Sequence, residues 1–199
     1  MKVFIPLVLF FVFVIRCEAQ LFASYKQGYY IDANGSVHQG LIKAGAGDNF
    51  PIKFKETKES KMLKCKPDDI AGYVIDKDSF AVVRNFEVPY SLTGAIIDVA
   101  FAKVIKVGRV TLYQNTVLLG AGNTQVSMES YLLKKGNNLD IVRVPTGPGR
   151  FKKRLSEFFS DFPKMSQQIE NGTLTYDYIL IMVDNYNKEF STKTSSATP

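Results

Sequence analysis

From Val99 to Gln114 the chain reads VAFAKVIKVGRVTLYQ, and apolar residues recur along both strand faces. Period-two spacing groups Ala100, Ala102, Val104, Val110 and Leu112 on one face. Phe101, Ile105, Val107 and Tyr113 fall on the other, among Lys103, Arg109 and Thr111. The pattern predicts one long β ribbon bent at Gly108. A ribbon apolar on both sides needs cover on both sides.

Shorter runs bounded by turn signals flank it. Tyr25–Ile31 and Val37–Ala44 surround Asn34-Gly35, a pair that tolerates positive φ and predicts a hairpin. Phe50–Lys55, Lys61–Lys66 and Ile70–Ile75 read as strands, and Phe80–Val88 as the outgoing arm of a second hairpin. Beyond the ribbon come Thr116–Leu119, Gln125–Lys134 and Leu139–Val144, separated by Gly-rich or Asn-rich turns. Nine or ten short strands at this spacing predict an antiparallel meander curled into a barrel- or sandwich-like sheet, over roughly residues 24–145.

The period changes after Pro145-Thr146-Gly147-Pro148-Gly149. Phe151, Leu155, Phe158, Phe159 and Phe162 follow helical spacing. Ser160 and Asp161 are candidate caps for a second short helix beginning near Pro163 and stopped by Asn171-Gly172. Thr175 is a candidate cap for a third, with the stripe Ile179, Met182, Val183, Tyr186 and Phe190. The fold class is therefore α+β, with about three helices over 146–190 packed on the sheet. Residues 191–199 read as a disordered polar tail.

The first residues call for a separate reading. Met1-Lys2, an apolar run Val3–Ile15 and Cys17-Glu18-Ala19 match an export leader over 1–19, cleaved before Gln20. Its loss would remove Cys17 and leave Cys65 as the one cysteine, so no internal disulfide can form. An exported, disulfide-free chain fits a bacterial periplasm or cell envelope, with no transmembrane span once the leader is gone. The net charge of +6 on the whole chain is too small for a nucleic-acid footprint. Asn34-Gly35-Ser36 and Asn171-Gly172-Thr173 match a glycosylation pattern, but both lie where turns are needed.

Catalytic and metal signatures are sparse. The single histidine, His38, and Cys65 cannot together build a four-ligand site, and nothing in their spacing makes them a nucleophilic pair. Asp68-Asp69 and Asp76-x-Asp78 read as turn chemistry. No catalytic residue, cofactor or metal is assigned, and the balance leans away from an enzyme. One candidate ligand site remains, for an anion. Gly147 and Gly149 lead into a helix whose opening holds Arg150, Lys152, Lys153 and Arg154, where free N–H groups and cations could receive a phosphate or carboxylate. A second basic stretch, Lys53–Lys66, carries six lysines and reads as a soluble edge or a cationic ribbon facing acidic lipid or glycan.

The segments GYYIDANGSVHQGLI, KPDDIAGYV, VGRVTLYQ and FKKRLSEFFSDFPKMSQQIENGTLTYDYILIMVDNYN together resemble a family of exported proteins of unknown function found in Bacteroidetes-type bacteria. The resemblance implies export and a periplasmic or envelope location, and no functional residues. The expected function is a non-enzymatic binding or structural module, partnered by an envelope protein or an anionic envelope surface. The alternatives are a hydrolase with dispersed Asp and Tyr groups, or an anion binder at Gly147–Arg154.

Overall fold

The computed structural model describes residues 25–88, 95–120, 125–138 and 140–195. The expected leader lies outside them. Among the described residues ten strands come first: β1 (Lys26–Asp32), β2 (Val37–Lys43), β3 (Ile52–Lys55), β4 (Leu63–Cys65), β5 (Ile70–Ile75), β6 (Asp78–Glu87), β7 (Ile96–Lys106), β8 (Val110–Leu119), β9 (Val126–Lys135) and β10 (Val142–Arg143). Helices α1 (Pro148–Phe158), α2 (Pro163–Glu170) and α3 (Ile179–Ser195) follow, with a 3-10 turn at Tyr176–Tyr178 leading into α3. The fold is α+β.

All strands join one antiparallel sheet in the order β10-β9-β8-β7-β6-β5-β1-β2-β3-β4. Two meanders meet at β1. One runs outward through β4; the other returns at β5, pairs with the free side of β1, and continues to β10. The ends β10 and β4 do not pair with each other, so the sheet is open rather than a closed barrel. It curls strongly enough for the β2–β3 connection to reach β7 and β8. There the Asp48 N–H donates to the Thr116 carbonyl at 2.7 Å and the Phe101 N–H donates to the Asp48 carbonyl at 2.9 Å.

The hairpin signal at Asn34-Gly35 produces the β1–β2 turn, with Gly35 at φ +86°, and Asn171-Gly172 ends α2 with Gly172 at φ +84°. The central stretch differs from its sequence reading. It is a hairpin, not one bent ribbon: β7 and β8 pair through Lys103↔Gln114, Val104↔Tyr113 and Lys106↔Leu112, with a register shift between Val104 and Lys106. A chain reversal and one extra residue break the period-two count. Tyr113 consequently packs with Ala100, Ala102 and Val104. Ile105 instead packs with Val110 and Leu112.

Three core clusters follow from this geometry. Tyr30, Ile42, Ile52, Phe54, Cys65, Ile70, Tyr73 and Phe101 fill the concavity formed by β1–β5 and β7. Val83, Phe86, Ala100, Ala102, Tyr113 and Leu132 lie across β6–β9. The third holds the helices: Phe151, Leu155, Phe159, Met165, Ile169, Ile179, Met182, Val183 and Tyr186 pack on Val110, Leu112, Leu133 and Val144. The helices therefore cover the β8–β10 end of the sheet. Burying Leu155, Phe159 and Met182 fully stabilises this layer by about 1.5–3 kcal/mol each.

Helix boundaries show two further differences. Neither Ser160 nor Asp161 caps α2, whose N-cap is Phe162 with no side-chain bond. The Asp161 carboxylate is taken instead by Lys135 and Tyr186. Thr175 precedes the 3-10 turn without a side-chain cap bond. Helix α3 runs through Ser195, into the stretch expected to be a disordered tail.

Candidate functional site

Helix α1 follows an extended Gly147 (φ −71°, ψ 128°) and opens on Pro148 at its first position. Proline there is preset for the helix but contributes no N–H. No side chain caps this end, and its first turn holds no acid. Its charges are the reverse of what the helix dipole favours, since Arg150, Lys152 and Lys153 lie in its first six residues and Glu157 in its last turn.

Spacing on the helix explains where these cations go. Arg150, Lys153, Arg154, Glu157 and Phe158 recur at three- and four-residue steps and so share one side of α1. Phe151, Leu155 and Phe159 face the core. The cationic side borders a cleft of about 580 Å³ whose other walls are Glu87 at the end of β6, Val142 and Arg143 on β10, and Pro145. Two residues before Glu87, Asn85 takes φ +54°, a left-handed conformation that Asn tolerates, so the strand is not regularly extended as it approaches the cleft.

Glu87 is the charge centre. Arg154 Nη1 donates to Glu87 Oε1 at 2.7 Å, and Arg143 Nη2 lies 3.6 Å from Glu87 Oε2. The hydrogen bond from Arg154 is the main reason the Glu87 carboxyl is held below its ordinary range. The charges of Arg154, Arg143 and Arg150 add to it, and partial burial opposes it. Four cations (Arg143, Arg150, Lys153 and Arg154) thus face two carboxylates, Glu87 and Glu157, around one partly apolar hollow.

The residues expected from sequence divide here. Arg150, Lys153 and Arg154 come together at the cleft, while Gly147, Gly149 and Lys152 do not line it. Lys152 turns toward α2, where its Nζ would lie 2.9 Å from a Cβ added to Gly172. The cleft therefore uses the side of α1 rather than its N-terminal N–H groups. Arg143 and Glu87 were missed. A charge inside the apolar run Ile141–Val144 is the one signal that marks Arg143, and Glu87 becomes visible only when β6 is brought beside β10.

The second polar hollow, about 330 Å³, lies where β7 and β8 diverge. Asp48 Oδ2 accepts the Thr116 N–H at 2.6 Å, and Asn115 Nδ2 donates to the Phe101 carbonyl at 2.7 Å. Burial pushes the Asp48 carboxyl up to about 6 despite the bond from Thr116. Tyr73, Glu129 and the Asp78–Lys103 ion pair at 2.7 Å share the hollow.

The remaining titratable candidates have structural roles. His38 stacks on Tyr30 with ring centroids 4.6 Å apart, and its Nε2 lies 3.0 Å from Asp32 Oδ2. Cys65 is buried and its thiol is raised to about 11, mainly by that burial, which disfavours a thiolate. Asp68 pairs with Arg84, Asp69 accepts the Lys66 N–H, and Asp76 pairs with Lys26. Among the described residues no group of three or more His, Cys, Asp or Glu could hold a metal ion, and no helix is long and apolar enough to cross a membrane.

Comparison of the chain with protein-family models, with curated proteins and with solved structures finds no match in any of the three.

Proposed function

We propose that the chain is an exported, non-enzymatic binding module of the bacterial periplasm or envelope, and that it holds an anionic, partly apolar ligand against α1. The observation that carries this reading is the convergence of Arg143, Arg150, Lys153 and Arg154 on one hollow of ligand size, with Phe158, Val142 and Pro145 as apolar wall. Three of the four cations are arginines, whose planar forks suit a carboxylate or phosphate held through paired bonds. Glu87 pre-positions two of them and is itself the group a ligand carboxylate would replace. The envelope location rests on the N-terminal leader pattern and on the family resemblance.

The test is a thermal-shift and calorimetric screen of the leaderless chain against aromatic and aliphatic carboxylates and phosphate esters. Arg150→Gln/Lys153→Gln serves as the control, because both side chains line the cleft yet are exposed enough to be replaced without disturbing the core. Protection that disappears in this variant supports the cleft. Protection of equal size in the variant, or none from any anion, rejects it.

A hydrolase is the second reading, favoured by one observation: a carboxyl raised to about 6 in a polar hollow, as a general acid or base requires. Turnover of an ester or glycoside that is lost in Asp48→Asn, while the cleft variant retains it, would move the assignment there.

A further inference from the structure

In strands β2, β3 and β4 the register places Lys43 opposite Lys53, and Lys53 opposite Lys64. Three ammonium groups thus stand in one row across three neighbouring strands. Adjacent strands lie about 4.8 Å apart, so the row is about 10 Å long. Like charges placed directly opposite one another destabilise a sheet.

Among the described residues no carboxylate pairs with these lysines to offset that repulsion. None of the three lysines takes part in an ion pair or side-chain hydrogen bond among the described residues, whereas nearby Lys55 donates to the Lys58 carbonyl. The row borders a hollow of about 500 Å³ whose remaining walls are Ala44, Gly45, Ala46, Phe50 and Pro51, with no carboxylate among them. Edge protection accounts for Lys64, which is on the terminal strand β4. It does not account for Lys43 and Lys53, whose strands are paired on both sides.

We propose that the Lys43–Lys53–Lys64 row is a second ligand site, separate from the α1 cleft, and that it binds an oligophosphate or closely clustered phosphate group. Three point charges in a line match a chain of tetrahedral phosphates, each ammonium donating to non-bridging oxygens. A lysine-only set makes no planar demand of the kind that arginine makes on a carboxylate. The phosphate could belong to a soluble molecule or to a lipid headgroup, and the chemistry at the lysines is the same.

The test is titration of the leaderless chain with tripolyphosphate at fixed ionic strength, beside inorganic phosphate and citrate, followed by calorimetry. Flotation with phosphatidic acid vesicles runs in parallel. The expected result is binding of tripolyphosphate well above that of phosphate. Lys53→Gln should weaken it roughly fivefold to tenfold, and Lys43→Gln/Lys53→Gln/Lys64→Gln should remove its excess over inorganic phosphate. That excess should persist in Arg150→Gln/Lys153→Gln, whose loss is confined to the α1 cleft, so failure of the cleft and failure of the row are read separately. These variants relieve repulsion at an exposed face, and their melting temperatures at low salt should equal or exceed that of the parent chain. Vesicle flotation that also requires the three lysines assigns the phosphate to a lipid; tripolyphosphate binding without flotation assigns it to a soluble ligand. Binding unchanged in the triple variant, or no preference for tripolyphosphate over citrate, overturns the proposal.

Discussion

The Asn187 side chain meets the backbone of Val110 through two bonds. Its Oδ1 accepts the Val110 N–H and its Nδ2 donates to the Val110 carbonyl, each at 2.8 Å. A side-chain amide thus stands in for a neighbouring strand at the start of β8, and ties α3 to the sheet. The β7–β8 turn is shaped to admit it: a Cβ on Gly108 would lie 2.4 Å from Asn187 Cγ.

Asn187→Ala should therefore destabilise the fold by about 1–3 kcal/mol, since the fully buried Val110 loses the partner of its N–H. Asn187→Asp should be no better, because its second oxygen would face the Val110 carbonyl. Gly108→Ala should weaken the same contact from the other side. Urea unfolding of the three variants checks this. Recovery of full stability in Asn187→Asp would show that the paired geometry is unimportant.

Tyr186 and Asp161 form a second tie. The phenol donates to Asp161 Oδ2 at 2.6 Å, and Lys135 Nζ donates to Asp161 Oδ1 at 2.8 Å and to the Phe158 carbonyl. Burial pushes Asp161 upward, but the bonds from Lys135 and Tyr186 outweigh it and the net shift is down. The stability this carboxylate contributes is present above its unfolded pKa and is lost as pH falls below about 4. Tyr186 is raised to about 12, by burial first and by Asp161 second, so its contribution is lost as pH climbs from about 10 toward 12. Tyr186→Phe should cost about 1–2 kcal/mol at pH 7 and flatten the alkaline limb. Denaturant midpoints recorded from pH 2 to 12 test both limbs.

Asp48 has the opposite sign to Asp161. Its folded pKa is raised to about 6, so the native state keeps a proton that the unfolded chain has already released. Stability from this group is fully present below about pH 4 and falls as pH rises through 6. In Asp48→Asn the amide oxygen can still accept the Thr116 N–H. The variant should gain on the order of 1–2 kcal/mol at pH 7, after allowance for partial exposure, and lose the slope between pH 4 and 6.5. A variant less stable than the parent at pH 7 would mean that the ionised carboxylate itself holds the β2–β3 connection in place.

Glu87→Gln separates structural from ligand-binding roles at the α1 cleft. Removing the central carboxylate takes away a negative partner of Arg154 and Arg143 that an incoming anion would otherwise have to displace. Affinity for whichever carboxylate the screen finds should rise roughly threefold to tenfold, with a stability loss below about 1 kcal/mol. Weaker binding would show that Glu87 positions the arginines and is not displaced.

Much of this protein could be read along the chain because the signals are local. Short runs bounded by turn residues located β1, β2 and β5 almost to the residue, with Asn34-Gly35 marking the turn between the first two. The change to helical spacing after Pro145 located α1, and the stripe Ile179–Phe190 gave the buried side of α3. Arg150, Lys153 and Arg154 were legible as a basic group because they are close in sequence.

Tertiary structure decided what depends on distant partners. Counting by twos through Gly108 put Tyr113 on the wrong face, because a reversal and a bulge reset the count. Asp161, a plausible helix cap by position, gives its oxygens to Lys135 and Tyr186, which lie 26 and 25 residues away. Glu87 and Arg143 meet α1 only because β6 and β10 end beside it, and the lysine row exists only through the β2–β3–β4 register. Local periodicity fixes which face of an element is buried. Which side chains then share a site is set by pairing over long separations, and no short window of sequence carries that information.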